Sequence, residues 1–179
     1  MTQRRHKVAA LALALVLTLA GLLAGTSGAN AASYRNGYIP KSQLCSIGKS
    51  VGSKHQTLYL RCDAARDFKK LAAAYKKRFG KTLPVDLAYR SYSEQVQMRA
   101  RYGRGAAVPG TSNHGWGTAV DFPDFRYRYG GGVNSKDFGF GGKSYVWLKA
   151  NGPKFGWVAP KWAQQNGSLP ESWHAEYVR

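Results

Sequence analysis

The chain holds only nine carboxylates, Asp63, Asp67, Asp86, Glu94, Asp121, Asp124, Asp137, Glu171 and Glu176, so every side chain able to ligate a metal or move a proton can be enumerated. Two histidines have an acid at a chemically useful spacing: His114 lies seven residues before Asp121, and Glu171 three before His174. A hydrolytic zinc site takes three N or O ligands, leaves a position for water, and needs a nearby non-ligand carboxylate to accept that water's proton. His114, Asp121 and His174 can supply the ligands of one Zn2+ per chain, and Glu171 the base. The Glu171-x-x-His174 pair is not the helical metalloprotease motif, which needs two histidines at i and i+4, and Pro170 argues against helix here. It is expected to work from a turn leading into a strand. Each pair alone is a weak signal, since a structural hydrogen bond gives the same spacing.

The elements that must position these groups can be read from periodicity. Phe68, Leu71, Ala72, Tyr75 and Phe79 fall on one helical face, with Asp63 as N-cap, Asp67 in the first turn, Lys76, Lys77 and Arg78 in the last, and Gly80 as the stop. Pro84 to Tyr89 is expected to be a short strand. Ser91-Tyr92-Ser93-Glu94 has capping-box spacing, so a second helix should run from about Ser93 to Arg101. Gly103 to Asn113 is predicted as loop and Thr118 to Phe122 as strand. Gly130 to Gly142 carries six glycines and is expected to be a mobile flap. Ser144 should cap a third helix ending near Ala150, Phe155 to Val158 is a strand candidate, and Ser172 to Val178 alternates as a strand does. The order suggests an α+β fold, a small antiparallel sheet with flanking helices.

The chain has 179 residues and a formal net charge of +18, with 13% aromatic residues, enough apolar area to exclude a disordered polypeptide. Arg4, Arg5 and Lys7 precede an apolar run from Val8 to Ala20 that leads to Ala29-Asn30-Ala31, the layout of a secretory signal peptide cleaved after Ala31. Gly21 and the small polar residues after Ala24 shorten the run below the roughly 20 residues of a spanning helix, so no stable membrane anchor is expected after cleavage. Removing residues 1–31 takes three cations and no acid, leaving +15 of the +18 on a mature monomer. Residues 32–62 read as a polar N-terminal strap and 63–179 as the catalytic domain, the two forming one unit. Export favours a Cys45–Cys62 disulfide, the only pairing two cysteines allow.

Four stretches then appear in a fixed order: Tyr89-Arg90-Ser91-Tyr92-Ser93-Glu94-Gln95, Pro109 to Asp121 with Ser112-Asn113-His114 at its centre, Phe155-Gly156-Trp157, and Glu171-Ser172-Trp173-His174-Ala175-Glu176-Tyr177. Together they closely resemble the zinc D-alanyl-D-alanine carboxypeptidases of the VanY type, in the wider LAS group, from about Asn36 to Tyr177. The resemblance implies that His114, Asp121 and His174 are the zinc ligands and Glu171 the catalytic base. It implies that Arg90 stabilises the developing oxyanion, and that Ser112 and Gln95 contact the substrate's terminal carboxylate. The implied substrate is the terminal D-Ala-D-Ala bond of peptidoglycan stem peptides, cut by a water activated at zinc and deprotonated by Glu171. Ala175 departs from the pattern, many relatives carrying a bulky aromatic there, and the glycine-rich stretch falls in a length-variable region.

Other readings compete. An endopeptidase cutting an L-Ala-D-Glu or cross-bridge bond could use the same site, and a non-catalytic wall-binding protein could retain the metal for structure. Ser46-Ile47-Gly48-Lys49 matches the S-x-x-K of serine penicillin-binding enzymes but lacks their companion motifs. His55 reads as a surface residue, Asp86 as a structural partner, and the five tryptophans mainly as core, with Trp116 a candidate for the rim of the site. No nucleic-acid module accompanies the basic charge beyond Phe125-Arg126-Tyr127-Arg128-Tyr129, so nucleic acid is not an expected partner. Attraction to anionic cell-wall polymers is.

Overall fold

The computed structural model describes residues 34–52, 55–123 and 136–179, all within one compact unit, Ser33–Arg179. The leader, the Phe125–Tyr129 run and the first half of the glycine-rich stretch lie outside the described residues. The elements in chain order are β1 (Leu44–Lys49), β2 (Thr57–Arg61), α1 (Cys62–Phe79), α2 (Tyr92–Tyr102), β3 (Ala119–Asp121), α3 (Lys143–Asn151), β4 (Trp157–Val158) and β5 (His174–Tyr177), with short 3-10 turns between them. The fold is α+β, but with two small antiparallel sheets: the hairpin β1-β2, and a three-stranded sheet in the order β3-β5-β4. No helix among the described residues is long and apolar enough to cross a membrane.

Helix α1 supplies the core face expected from its spacing. Phe68, Leu71 and Tyr75 are buried, with Ala72 and Phe79 packed beside them against Phe138, Trp147 and Trp157. Burying large side chains of this kind stabilises by roughly 1.5–3 kcal/mol each. Gly80 ends the helix at φ +70°, its N–H donating to the Lys76 carbonyl. The helix starts two residues earlier than the Asp63 cap implied: Arg61 is the N-cap residue, and Asp63 in the first turn pairs with the Arg61 guanidinium at 2.6 Å. Asp67 lies beyond the first turn and is buried, where it accepts hydrogen bonds from Lys70 and the Tyr177 hydroxyl, both at 2.7 Å. The Tyr177 bond pins β5 to α1.

Several expectations are corrected. The strap, for which no strand was expected, contains one: Leu44–Lys49 forms β1, paired with β2 and tied to α1 by the Cys45–Cys62 disulfide, Cα atoms 4.8 Å apart. A β-bulge between Ser46 and Gly48, with Gly48 at φ +117°, breaks the two-residue alternation that would have marked the strand. Pro84 to Tyr89 is extended but forms no ladder, because Val85, Asp86 and Tyr89 bond to Val51, Asp121 and Tyr59 respectively, leaving one bridge at Leu87–Asp121. The second half of the proposed flap, residues 136–142, is a series of turns anchored by buried Phe138, which stacks on Phe122. Gly142, not Ser144, caps α3; Ser144 is buried in the first turn and meets the Tyr75 hydroxyl at 2.7 Å. Ala175 leaves a small apolar recess bordered by Leu71, Phe122, Leu148 and Trp157.

The Asp67 contacts carry a pH signature. Hydrogen bonds from Lys70 and then Tyr177 outweigh burial and hold its pKa at about 2, below the ordinary value near 3.9. A depressed carboxylate contributes stability that is complete above about pH 4 and is lost as pH falls toward 2. Asp67→Asn should therefore lower Tm at pH 7, with the gap from wild type closing between about pH 4 and pH 2; thermal melts followed by circular dichroism check this, and a gap constant with pH would contradict it.

Candidate active site

Register builds the centre of the site. β3 and β5 pair antiparallel with Asp121 directly opposite His174, Val120 opposite Ala175 and Ala119 opposite Glu176. Cross-strand partners project to the same face, so the Asp121 carboxylate and His174 ring meet, Oδ1 to Nδ1 at 2.9 Å. His114 arrives from a 3-10 turn, Asn113–Trp116, closed by the Gly115 N–H donating to the Ser112 carbonyl. Its Nε2 lies 3.3 Å from Asp121 Oδ2. One ligand atom from each of the three residues falls within 4.8 Å of the other two, and all three are buried.

The far nitrogens of the rings decide which atoms face the centre. His114 Nδ1 sits 2.8 Å from the Ala88 carbonyl, an acceptor only, so Nδ1 donates and Nε2 is left for a ligand. His174 Nε2 sits 3.1 Å from Glu176 Oε1, so it donates there and Nδ1 faces inward. Burial lowers the His114 pKa, while at His174 burial is outweighed by the hydrogen bonds the ring makes to Asp121 and Glu176, which raise it to about 9. Burial likewise opposes the Asp121 charge, but the two histidines drive its pKa far below the ordinary range. The pocket is built to hold positive charge among one carboxylate and two imidazoles. That donor set, two N and one O on rigid backbone with room for a further ligand, fits a catalytic zinc ion.

The same residues line a cleft together with Arg90, Met98, Tyr102, Ser112, Trp162 and Glu171. Glu171 is held in a turn: its N–H donates to the Ala163 carbonyl at 2.8 Å and its own carbonyl accepts from the His174 N–H at 3.2 Å. It thus reaches the cleft from just ahead of β5, as its spacing and Pro170 implied. Arg90 follows the extended 84–89 segment, and its N–H donates to the His114 carbonyl at 3.2 Å. Burial pushes the Arg90 guanidinium below its ordinary pKa, and Asp121, Glu94 and Glu171 oppose that shift.

Ser112 lines the cleft, but Gln95 does not. The Gln95 amide is buried and donates to Asn36 Oδ1 (2.9 Å) and the Arg90 carbonyl (3.2 Å), while its oxygen accepts from the Gly110 N–H (2.8 Å). Asn36 in turn donates to the Ser112 carbonyl. Gly115 is required beside this knot, because a Cβ there would lie 2.0 Å from Asn36 Oδ1. Gln95 therefore holds the loop that presents His114. Trp116 is exposed and not among the cleft residues, whereas Trp162 lines the cleft and packs on the His174 ring, centroids 5.0 Å apart. Ser46 and Lys49 sit on β1 with local partners, Gly48 and Thr57, and Asp86 is a buried partner of Ser50.

One residue with no earlier role touches the centre. Glu176 accepts from His174, from the Asn113 amide and from Trp162; burial works against its charge, but these bonds bring its pKa below the ordinary carboxylate value. Its position two residues after His174 on a strand was the available signal, since i and i+2 share a face.

Comparison with known proteins gives a consistent result. The LdcB LD-carboxypeptidase, whose structure bears on peptidoglycan recognition, superposes with a TM-score of 0.57 at 28% identity over 79% of this chain and 71% of that one. A VanY D,D-pentapeptidase variant from a VanB-type vancomycin-resistance cassette, in complex with Zn(II), gives 0.51 at 24% over 79% and 83%. The D,D-dipeptidase VanXYg, in complex with a D-Ala-D-Ala phosphinate analogue, gives 0.53 at 20% over 80% and 58%. No curated protein matches the chain by sequence. The family model of the VanY D-alanyl-D-alanine carboxypeptidases matches residues 57–179, the stretch that carries His114, Asp121, His174, Glu171 and Arg90, and the chain belongs to that family.

Proposed function

We propose that the chain is an exported zinc carboxypeptidase that removes the terminal D-Ala from peptidoglycan stem pentapeptides by hydrolysing the D-Ala-D-Ala bond. The observation that carries this reading is the convergence of the His114–Asp121–His174 centre, Glu171 and Arg90 on one cleft from four separate segments. When bound, zinc polarises the scissile carbonyl and lowers the pKa of water at the site. Glu171 takes the proton of the attacking water and returns it to the leaving amine. Arg90, fixed beside His114, places positive charge against the oxyanion, and Ser112 lines the part of the cleft where a terminal carboxylate would be held. No covalent intermediate is required.

The similarity to LdcB favours one second reading, an L,D-carboxypeptidase acting on tetrapeptides with the same machinery. A non-catalytic wall-binding protein has weaker support, since Glu171 and Arg90 are both in place at the cleft, whereas an endopeptidase would use the same residues and is separated by its products. Mass spectrometry of stem pentapeptide and tetrapeptide incubated with the enzyme separates these. Release of D-Ala from pentapeptide alone is the expected result; release from tetrapeptide alone would replace the D,D assignment, and internal fragments would mean an endopeptidase.

Purified mature protein should contain one zinc per chain by elemental analysis, and chelation should abolish activity. Glu171→Ala should keep that zinc and lose about 100-fold or more in kcat, the scale of general acid–base catalysis. A variant that loses zinc and activity together would instead make Glu171 a metal-site residue.

Export rests on the leader pattern, and the charge supports a wall tether. On α1, Arg66, Lys69, Lys76 and Lys77 are all exposed on the side away from the core, a cationic strip suited to anionic wall polymers. Sedimentation with purified cell walls should weaken steeply as ionic strength rises past about 0.1 M, where the screening length is roughly 10 Å, while cleavage of a small soluble peptide should change little.

A further inference from the structure

Glu176 is a carboxylate that reaches the metal centre through another residue, His174. It lies on β5 two residues after His174, so the strand's two-residue period puts both side chains on one face. Its Oε1 takes the His174 Nε2 proton at 3.1 Å and also accepts from the Asn113 amide, which adjoins His114. Trp162, a third donor to the same carboxylate, packs on the His174 ring. The carboxylate is therefore held by groups that flank both histidines.

This placement has a chemical consequence. Turning the imidazole over about its Cβ–Cγ bond would put a carbon where Nδ1 now points inward, so the ring needs a partner that holds it in this orientation. His114 is secured by a backbone carbonyl, that of Ala88. The corresponding restraint on His174 is a side chain. With Nε2 committed to Glu176, Nδ1 is the atom presented toward Asp121, and a carboxylate partner makes that nitrogen a stronger donor to a cation.

We propose that Glu176 is a positioning residue for zinc: by holding His174 Nε2 it selects Nδ1 as ligand and strengthens metal binding, with Asn113 fixing the carboxylate in turn. The proposal rests on the zinc-peptidase reading above. The test is competition of the metal-stripped mature protein against a chromogenic chelator for zinc alone. Glu176→Ala should weaken zinc binding by about 10- to 100-fold, the usual effect of removing an outer partner of a metal-bound histidine. Glu176→Gln, which keeps an acceptor oxygen but not the charge, should fall between it and wild type, and excess zinc should restore much of the activity of both. The Tm of the metal-free protein should change less than the increment zinc adds. Zinc affinity within twofold of wild type in both variants would overturn the proposal and reduce Glu176 to a structural contact. Should Glu176→Ala fail to fold, Glu176→Gln decides by the same twofold criterion. If the wild type itself binds no zinc, the zinc-peptidase reading fails and this inference with it, an outcome distinct from equal binding by wild type and variants.

Discussion

Asp121 and His174 come from places 53 residues apart and meet because β3 and β5 are hydrogen-bonded in one register. A slip of one residue would turn both side chains to the opposite face and scatter the centre, because side chains alternate along a strand. Much of the surrounding structure acts to hold that register. The Asp121 backbone is gripped on its other side by Asp86 and Leu87, and the Phe122 N–H donates to the Trp173 carbonyl at 2.9 Å. At the far end of β5, Tyr177 is tied to Asp67 of α1 and packs against Trp157, so the strand cannot slide without breaking a buried contact.

The third residue of the centre needs a different solution, because His114 lies on a short turn outside the sheet. Loops carry unpaired backbone groups, and here a buried amide network supplies the partners. Asn36 and Gln95 bond to one another and to the backbone at Arg90, Gly110 and Ser112, joining the N-terminal segment, α2 and the His114 turn. Helix α2 holds Gln95 in place through its capping box, in which the Ser91 side chain and the Glu94 carboxylate satisfy each other's backbone N–H groups. The residues nearest the chemistry are thereby supported from almost every part of the chain, which suits a site whose electrostatics depend on fixed dipoles and charges.

Charge is arranged on two scales. Within the centre, burial disfavours every ion taken alone, yet Asp121 stays ionised and His174 favours its proton because each stabilises the other. Over the whole chain, 27 Lys and Arg stand against nine acids, so cations outnumber carboxylates three to one. Those on α1 are displayed to solvent, whereas Arg90 is drawn inward among Asp121, Glu94 and Glu171.

The local elements could be recognised from sequence because their causes are local. The apolar face of α1 and Gly80, the Ser91–Glu94 cap of α2, the alternation of β5 and the only possible disulfide all depend on neighbouring residues, and the ordered motifs around His114 and His174 pointed to the family and its metal. What escaped depends on partners distant in the chain. A bulge at Gly48 hid β1, Pro84–Tyr89 makes its bonds to three separate segments instead of one ladder, and Asp67 proved an anchor for β5 rather than a first-turn acid of α1. Gln95, expected at the substrate, turned out to be buried in the Asn36 knot, and Glu176 gained a place beside His174. Residue type and spacing determine which groups are able to ligate or transfer protons. Which nitrogen faces the metal, and which carboxylate stands behind it, is decided only when strands far apart in sequence pair and bury their donors, since a buried polar group must find its partner in space, wherever that partner lies along the chain.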